Sequence, residues 1–193
     1  MPDTPKSLDY FRDAYEIRVA RLREERAAGQ RIVGTFCLYV PDEIIFAAGA
    51  DRVVLCGGSP DTIPVAEQSL PRNLCPLVKS SFGALVDACC GGQLACTHAG
   101  LVDVVVAEAT CDGKKKMYEV LDPYLPTYVL DLPQKPDSPD ALVYFTSELR
   151  KFGRFMEGLT GITITGDALA REIRSANETR RLLHRLFDSR RAD

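Results

Sequence analysis

The sequence predicts an α/β protein: a Rossmann-like parallel sheet of about four strands flanked by helices, with an N-terminal helix and a C-terminal helical segment. Short apolar runs rich in β-branched residues alternate along the chain with helical patterns. These runs are almost continuously apolar, which is typical of strands buried on both faces of a parallel sheet. Right-handed crossovers between such strands give a doubly wound layer. The length of 193 residues suits one such domain with a helical appendage.

Local patterns place each element in turn. Apolar residues spaced three and four apart, such as Tyr15, Val19 and Leu22, predict an amphipathic helix over residues 7–28. Proline in the first turn marks the helices that begin near residues 41 and 76. The predicted strands cover residues 31–36, 52–55, 102–107 and 127–130. The other predicted helices cover residues 41–49, 76–88, 112–121, 139–158 and 166–189.

Composition and charge exclude several classes of protein. The formal net charge is −3, so no basic excess suggests nucleic-acid binding. No apolar run approaches the ~20 residues of a membrane-spanning helix. The charged N-terminus lacks the apolar core of a secretory signal, so we expect a cytoplasmic protein. An odd number of cysteines without an export signal argues against a disulfide framework.

Cysteine is frequent in this chain, and its positions are informative. The cysteines are Cys37, Cys56, Cys75, Cys89, Cys90, Cys96 and Cys111. Cys37, Cys56 and Cys111 follow the first three predicted strands, and Cys75 directly precedes a predicted helix. Because parallel strands end at one edge of the sheet, we expect these four thiols at that edge, where open α/β sheets bind ligands. Helix N-termini also favour the thiolate form of cysteine.

The spacing of the cysteines leaves the nature of the site open. Thiolates are the ligands of iron–sulfur clusters. Zinc sites usually contain close cysteine pairs, whereas Cys37, Cys75 and Cys111 are widely spaced. A zinc-binding α/β domain nevertheless stays an alternative. Buried structural thiols fit the spacing at least as well as a metal site, because free cysteine is among the most buried residue types.

Three longer motifs stand in order along the chain. They are residues 34–45 (GTFCLYVPDEII), 70–81 (LPRNLCPLVKSS) and 110–119 (TCDGKKKMYE). In these motifs the chain resembles the N-terminal half of the 2-hydroxyacyl-CoA dehydratase D-component family, to which 2-hydroxyglutaryl-CoA dehydratase and benzoyl-CoA reductase are related. Within this family it is most similar to the double-cubane cluster proteins. The resemblance extends from about Arg31 to the end of the sequence.

The resemblance implies an iron–sulfur protein. Matched position by position, Cys37, Cys75 and Cys111 become the metal ligands of a [4Fe-4S] or double-cubane cluster. The family further implies anaerobic chemistry and an ATP-dependent activator protein that supplies an electron at very low potential. In dehydratases, which are lyases, that electron reduces a 2-hydroxyacyl-CoA to a ketyl radical and lets water leave. The double-cubane branch consists of oxidoreductases that reduce small molecules. A homo- or heterodimer is expected, with an acyl-CoA or another small molecule as substrate.

Four polar residues near these cysteines are candidate cofactor-binding residues. Lys79, Ser80 and Ser81 lie in the first turns of the helix after Cys75, where they could donate hydrogen bonds to cluster sulfurs. An ordinary polar helix face explains them equally well. Lys114 begins a run of three lysines that opposes the dipole of its helix, which is easier to explain beside an anionic cluster or a phosphate. The alternative is a solvated helix start. No residue is assigned a catalytic role.

We expect three segments: an N-terminal helix at 1–30, a Rossmann-like cluster-binding domain at 31–135, and a helical connector at 136–193. Members of the resembled family usually continue into a second α/β domain with further cysteines. The alternative function is therefore a truncated, cluster-free α/β module that serves binding or assembly. The sequence contains no G-x-x-x-x-G-K-[ST] motif, which agrees with ATP hydrolysis by a separate activator.

Overall fold

The computed structural model describes residues 6–36, 38–55, 57–92 and 98–191. The chain divides into two compact units. Residues 41–50 belong to the second unit together with residues 133–193. The first unit contains the residues before 41 together with residues 51–132. The expected division into segments 1–30, 31–135 and 136–193 stays a prediction.

Seven α-helices and four β-strands make up the described part of the chain, with short 3-10 turns at Pro60–Thr62 and Ala99–Leu101. In chain order they are α1 (Lys6–Ala27), β1 (Ile32–Thr35), α2 (Asp42–Ala47), β2 (Asp51–Val54), α3 (Ile63–Ala66), α4 (Pro76–Cys89), β3 (Val104–Glu108), α5 (Asp112–Leu121), β4 (Thr127–Leu130), α6 (Ala141–Thr160) and α7 (Gly166–Ser189). The α/β fold predicted from the sequence is confirmed.

The four strands form a parallel sheet in the order β2-β1-β3-β4. In the register of the sheet, Thr35 of β1 lies between Val54 of β2 and Val106 of β3. Every residue of β1 and β3 is buried, whereas the edge strands β2 and β4 are partly exposed. The two central strands therefore carry the continuous apolar pattern that the sequence displays.

The strand order creates a switch point between β1 and β3. The chain passes from β1 to β2 on one side, and then returns past β1 to form β3 on the other side. In open α/β sheets of this order, ligands bind outside the carboxyl ends of the two strands where the direction reverses. Those ends are Thr35 of β1 and Glu108 of β3.

The core of the first unit lies between the sheet and its helices. Its fully buried side chains include Leu22 of α1, Phe82 of α4 and Leu121 of α5. The apolar stripe of α1 is buried at its C-terminal part, at Val19 and Leu22. Towards its N-terminus the stripe is open to solvent, since Phe11 is 71% exposed. Helix α1 therefore anchors to the core through its C-terminal part.

The second unit consists of α2, α6 and α7. Ile45 and Ala48 on the α2 side and Phe152 and Met156 on α6 are fully buried. Helix α6 is capped at its C-terminus by Gly161, whose positive φ of 74° suits glycine. Thr165 is the N-cap of α7, and its hydroxyl accepts a hydrogen bond from the backbone N–H of Ala168 at 3.1 Å. None of the described helices is both long and apolar enough to cross a membrane.

Helix α4 lies in close contact with the turn before α3, and this contact predicts that the stability of the protein depends on Gly83. A Cβ added at Gly83 would overlap the carbonyl oxygen of Thr62. Thr62 cannot withdraw easily, because its hydroxyl donates a hydrogen bond to the carbonyl oxygen of Ser80 at 2.8 Å. We expect Gly83→Ala to lower the free energy of unfolding by about 1–3 kcal/mol, measured by urea denaturation.

Gly158→Ala is the matched control, because a Cβ at this α6 position would meet no atom within 4 Å. That change removes a flexible residue from a helix and should be neutral or stabilising by up to ~1 kcal/mol. Equal effects of the two substitutions would contradict the proposed packing of Gly83.

Candidate functional site

Cys75 and Cys111 occupy equivalent places in the first unit. Cys75 is the N-cap of α4, and Cys111 is the N-cap of α5. Both thiols are free and exposed. Their exposure does not fit the alternative in which they serve as buried structural cysteines. Each thiol instead stands at the positive end of a helix dipole.

The first turn of α4 acts directly on the thiol of Cys75. The backbone N–H groups of Val78 and Leu77 donate hydrogen bonds toward the sulfur and hold the pKa of Cys75 below its usual range. The ammonium of Lys79 lowers this pKa further through its positive charge. Cys75 therefore carries the thiolate that metal binding requires at a lower pH than an ordinary cysteine does.

The starts of α4 and α5 meet at Leu74 and Gly113. A Cβ added to Gly113 would lie 3.0 Å from Cδ1 of Leu74, so the absence of a side chain at Gly113 lets the two segments approach. Leu74 directly precedes Cys75, and Gly113 is the second residue after Cys111. This contact brings together the segments that carry two of the three predicted ligands.

The third predicted ligand, Cys37, lies outside the described residues, as do Cys56 and Cys96. Strand β1 ends at Thr35, two residues before Cys37, and it is paired with β3, which ends at Glu108 three residues before Cys111. The assignment of Cys37 as a ligand stays a prediction. Among the residues that are described, no group of three or more His, Cys, Asp or Glu side chains could hold a metal ion.

Ser80 and Ser81, predicted to bind a cofactor, are buried in the first turns of α4. The hydroxyl of Ser80 donates a hydrogen bond to the carbonyl oxygen of Leu77 at 3.1 Å. The hydroxyl of Ser81 accepts a hydrogen bond from the backbone N–H of Gly57 at 2.9 Å. Ser81 therefore fixes the segment that follows β2 against the start of α4. A role for either hydroxyl at a cofactor stays a prediction.

Lys79 is a buried lysine with two partners. Its Nζ donates to Oε1 of Glu67 and to the carbonyl oxygen of Arg72, both at 2.7 Å. The hydrogen bond to Glu67 lowers the pKa of that carboxyl group. The two contacts tie the segment between α3 and α4 to the first turn of α4, and they direct the ammonium toward that segment. A contact between Lys79 and a cofactor stays a prediction.

Lys114 forms an ion pair with Glu108, the last residue of β3. Its Nζ lies 2.7 Å from Oε1 of Glu108 and 3.2 Å from Oγ1 of Thr110. The Glu108 side chain is 0% exposed, and its second carboxylate oxygen is buried without a hydrogen-bond partner among the described residues. Sequence reasoning singled out Lys114 but missed Glu108. The available signal was an acidic residue at the end of an otherwise apolar strand, VVVAE.

Comparison with known proteins gives a consistent picture. The model of the family described as 2-hydroxyglutaryl-CoA dehydratase, D-component, matches residues 37–193. The chain is 37% identical over 185 residues to the putative dehydratase subunit YjiM of Escherichia coli (strain K12), covering 96% of this chain and 47% of that protein. It is 24% identical over 179 residues to a benzoyl-CoA reductase subunit of Thauera aromatica, covering 91% of this chain and 44% of that protein. The chain thus spans about half the length of these curated relatives.

The environment of Cys75 predicts a distinct pH dependence of its reactivity. Since hydrogen bonds from the α4 backbone lower its pKa, the thiolate forms as pH rises at a point where an ordinary thiol is still protonated. Alkylation of Cys75 by iodoacetamide should therefore reach half its maximal rate at a lower pH than alkylation of Cys89. Peptide mass spectrometry across a pH series measures both sites in one sample.

Cys89 is the internal control, because partial burial of its sulfur and the neighbouring Cys90 raise its pKa. If Cys89 reacts at a lower pH than Cys75, the assignment of a thiolate-stabilising helix start at Cys75 is wrong.

Proposed function

Because the chain belongs to the 2-hydroxyglutaryl-CoA dehydratase D-component family, we propose that it is the iron–sulfur cluster-binding component of a low-potential reductase or 2-hydroxyacyl-CoA dehydratase. In this proposal Cys37, Cys75 and Cys111 hold a [4Fe-4S] or double-cubane cluster. The observation that carries the proposal is the meeting of two helix starts through Leu74 and Gly113, each headed by an exposed cysteine.

The donor set fits an iron–sulfur cluster. Thiolates are the usual protein ligands of these clusters, both described candidates are exposed at helix N-termini, and the pKa of Cys75 is lowered there. The net negative charge of a thiolate-ligated cluster would also be favoured at two converging positive helix ends. Such a cluster, when bound, supplies one-electron transfer at a potential set by its type, its hydrogen bonds and its exposure.

Residues around the two helix starts would shape the environment of the cluster. Ser80 and Ser81 of α4 are candidates for hydrogen bonding near the sulfurs, and Lys79 and Lys114 are candidates for supplying positive charge there. Hydrogen bonds and charges of this kind tune the properties of a metal centre. Each of these side chains is held by a hydrogen bond or ion pair to another residue of the first unit.

The proposed partners are an ATP-dependent activator protein and a second protein chain, with which this chain forms a homo- or heterodimer. The activator would deliver the electron, and an acyl-CoA or another small molecule would be the substrate. One relative is described as a dehydratase subunit and the other as a reductase subunit, which supports a multi-component system. We place this system in the cytoplasm of an anaerobically growing cell.

An exposed apolar stripe on α7 supports assembly with another chain. Leu182, Leu183, Leu186 and Phe187 fall within six consecutive residues of α7 and are 50–64% exposed. Every residue from 177 to 191 is exposed. Helical stability in proteins comes mainly from packing of an apolar face, so a solvated stretch of this kind is expected to gain stability from a partner.

Removal of the cysteines tests the proposed ligand set. After anaerobic reconstitution of the full chain, we expect bound iron, acid-labile sulfide and broad visible absorbance. Cys37→Ser, Cys75→Ser and Cys111→Ser should each lose most of the iron, because a weaker hydroxyl donor replaces a thiolate. Metal analysis of the same samples also quantifies zinc. Bound zinc in place of iron would favour the alternative of a zinc-binding α/β domain.

Cys90→Ser is the matched control, since it removes an exposed thiol at the opposite end of α4. It should retain the iron content of the unchanged chain. A reconstituted chain without iron, or equal loss in the control, would favour the cluster-free binding or assembly module instead.

Polar substitution of the α7 stripe tests the assembly surface. We expect the unchanged chain to be at least dimeric, and the double variant Leu183→Gln/Phe187→Gln to shift toward the monomer, as measured by light scattering after gel filtration. Arg185→Gln is the control, because Arg185 is exposed on the same helix but outside the apolar stripe. A wild-type monomer, or an equal shift in the control, would rule out self-association through this stripe.

A further inference from the structure

The C-terminal end of α4 carries two adjacent cysteines that the proposed cluster site does not use. Cys89 is the last residue of α4, and Cys90 is its C-cap. Both thiols are free and exposed. Helix α4 has 14 residues, so the pair lies about 20 Å along the helix from Cys75 at the opposite end. The two cysteines therefore form a thiol site of their own, separate from the proposed ligands.

The capped end of α4 fixes the backbone that carries this pair. Gly91 has a positive φ of 78°. The backbone N–H of Gly92 donates a hydrogen bond to the carbonyl oxygen of Asp87 at 2.7 Å. The backbone N–H of Cys90 donates to the carbonyl oxygen of Val86 at 3.0 Å. A left-handed glycine followed by such a backward hydrogen bond is a common way to end a helix, so the sequence Cys-Cys-Gly-Gly encodes its own cap.

This backbone disfavours a disulfide bond between the two thiols. The Cα atoms of neighbouring residues are about 3.8 Å apart, whereas those of disulfide-linked residues are usually about 4.4–6.8 Å apart. A bond between Cys89 and Cys90 would distort the peptide that joins them, and with it the cap at Gly91. Strained disulfides are also the ones that are easily reduced. The pair therefore persists as two neighbouring thiols.

The surroundings of Cys89 keep its thiol protonated. Partial burial of the sulfur and the neighbouring Cys90 raise the pKa of Cys89, and the influence of Cys90 places the two sulfurs within electrostatic reach of each other. The carbonyl end of a helix also disfavours negative charge. Reagents that need a single thiolate therefore react slowly at Cys89. A centre that condenses with two neutral thiols has no such requirement.

We propose that Cys89 and Cys90 form a dithiol site for trivalent arsenic, taken up as arsenite or as an organic arsenoxide. With an arsenoxide, two As–S bonds form and the As=O bond breaks, and the oxygen leaves as water with the two thiol protons. Arsenic stays trivalent, so the step needs neither an oxidant nor a reductant. Sulfur ligands suit such a soft centre, and bridging by arsenic spares the backbone the distortion of a direct S–S bond. The site does not depend on the proposed cluster.

Uptake of phenylarsine oxide by the full, reduced and metal-free chain tests this site. Mass spectrometry counts the arsenic that stays bound in excess 2-mercaptoethanol, because a monothiol displaces arsenic held by one sulfur but not arsenic chelated by two. Cys89→Ser and Cys90→Ser should each lower this count by about one arsenic per chain. The double variant Cys89→Ser/Cys90→Ser should lower it by the same amount, because both thiols serve one site. Arsenic held by other cysteines cancels in these comparisons.

Cys96→Ser is the matched control, because Cys96 is the next cysteine along the sequence and lies outside the proposed pair. It should keep the count of the unchanged chain. An unchanged count in either single variant, a larger loss in the double variant, or an equal loss in Cys96→Ser would overturn the inference. Should a serine variant not fold, Cys89→Ala and Cys90→Ala replace it with the same expected loss. A chain that binds no cluster would contradict the proposed function and leave this result unaffected.

Discussion

Parallel pairing of β1 with β3 at the centre of the sheet is the constraint on which the rest of the first unit depends. Because all four strands run in the same direction, their carboxyl ends and the N-terminus of α5, which follows β3, emerge at one edge. Every residue of β1 and β3 is buried, so this central pair is shielded from solvent. Cys111 stands three residues beyond the end of β3. The site is therefore positioned by the sheet, and its chemistry is supplied by the segments that follow it.

The close approach of the starts of α4 and α5 is a second structural constraint on the candidate site. The two helix starts can converge because Gly113 presents no side chain to Leu74. Convergence of two positive helix ends is unfavourable unless negative charge lies between them or beside them. The thiol of Cys75, whose pKa is held below its usual range by the first turn of α4, provides a group of suitable sign. Local backbone geometry and electrostatics thus point to the same arrangement.

Sequence patterns predicted the fold well because its elements are locally encoded. Continuous β-branched runs identified β1 and β3, and the proline after Cys75 marked the start of α4 within one residue. The α/β class and the family resemblance are both confirmed. Periodicity could not predict side-chain pairing across long stretches of sequence, such as Lys79 with Glu67 or Ser81 with Gly57. Nor could it reveal that Glu108 would be enclosed, since an acid at a strand end is usually solvated.

The division of the chain into units has a consequence for fragments of this protein. Residues 41–50 are enclosed in sequence by the first unit but belong to the second. A fragment that ends at residue 132 would retain the whole sheet, yet it would leave Ile45 and Ala48 without the helices α6 and α7 of their own unit. A fragment that begins at residue 133 would lack α2. Cleavage of the chain at that boundary therefore cannot release an intact second unit.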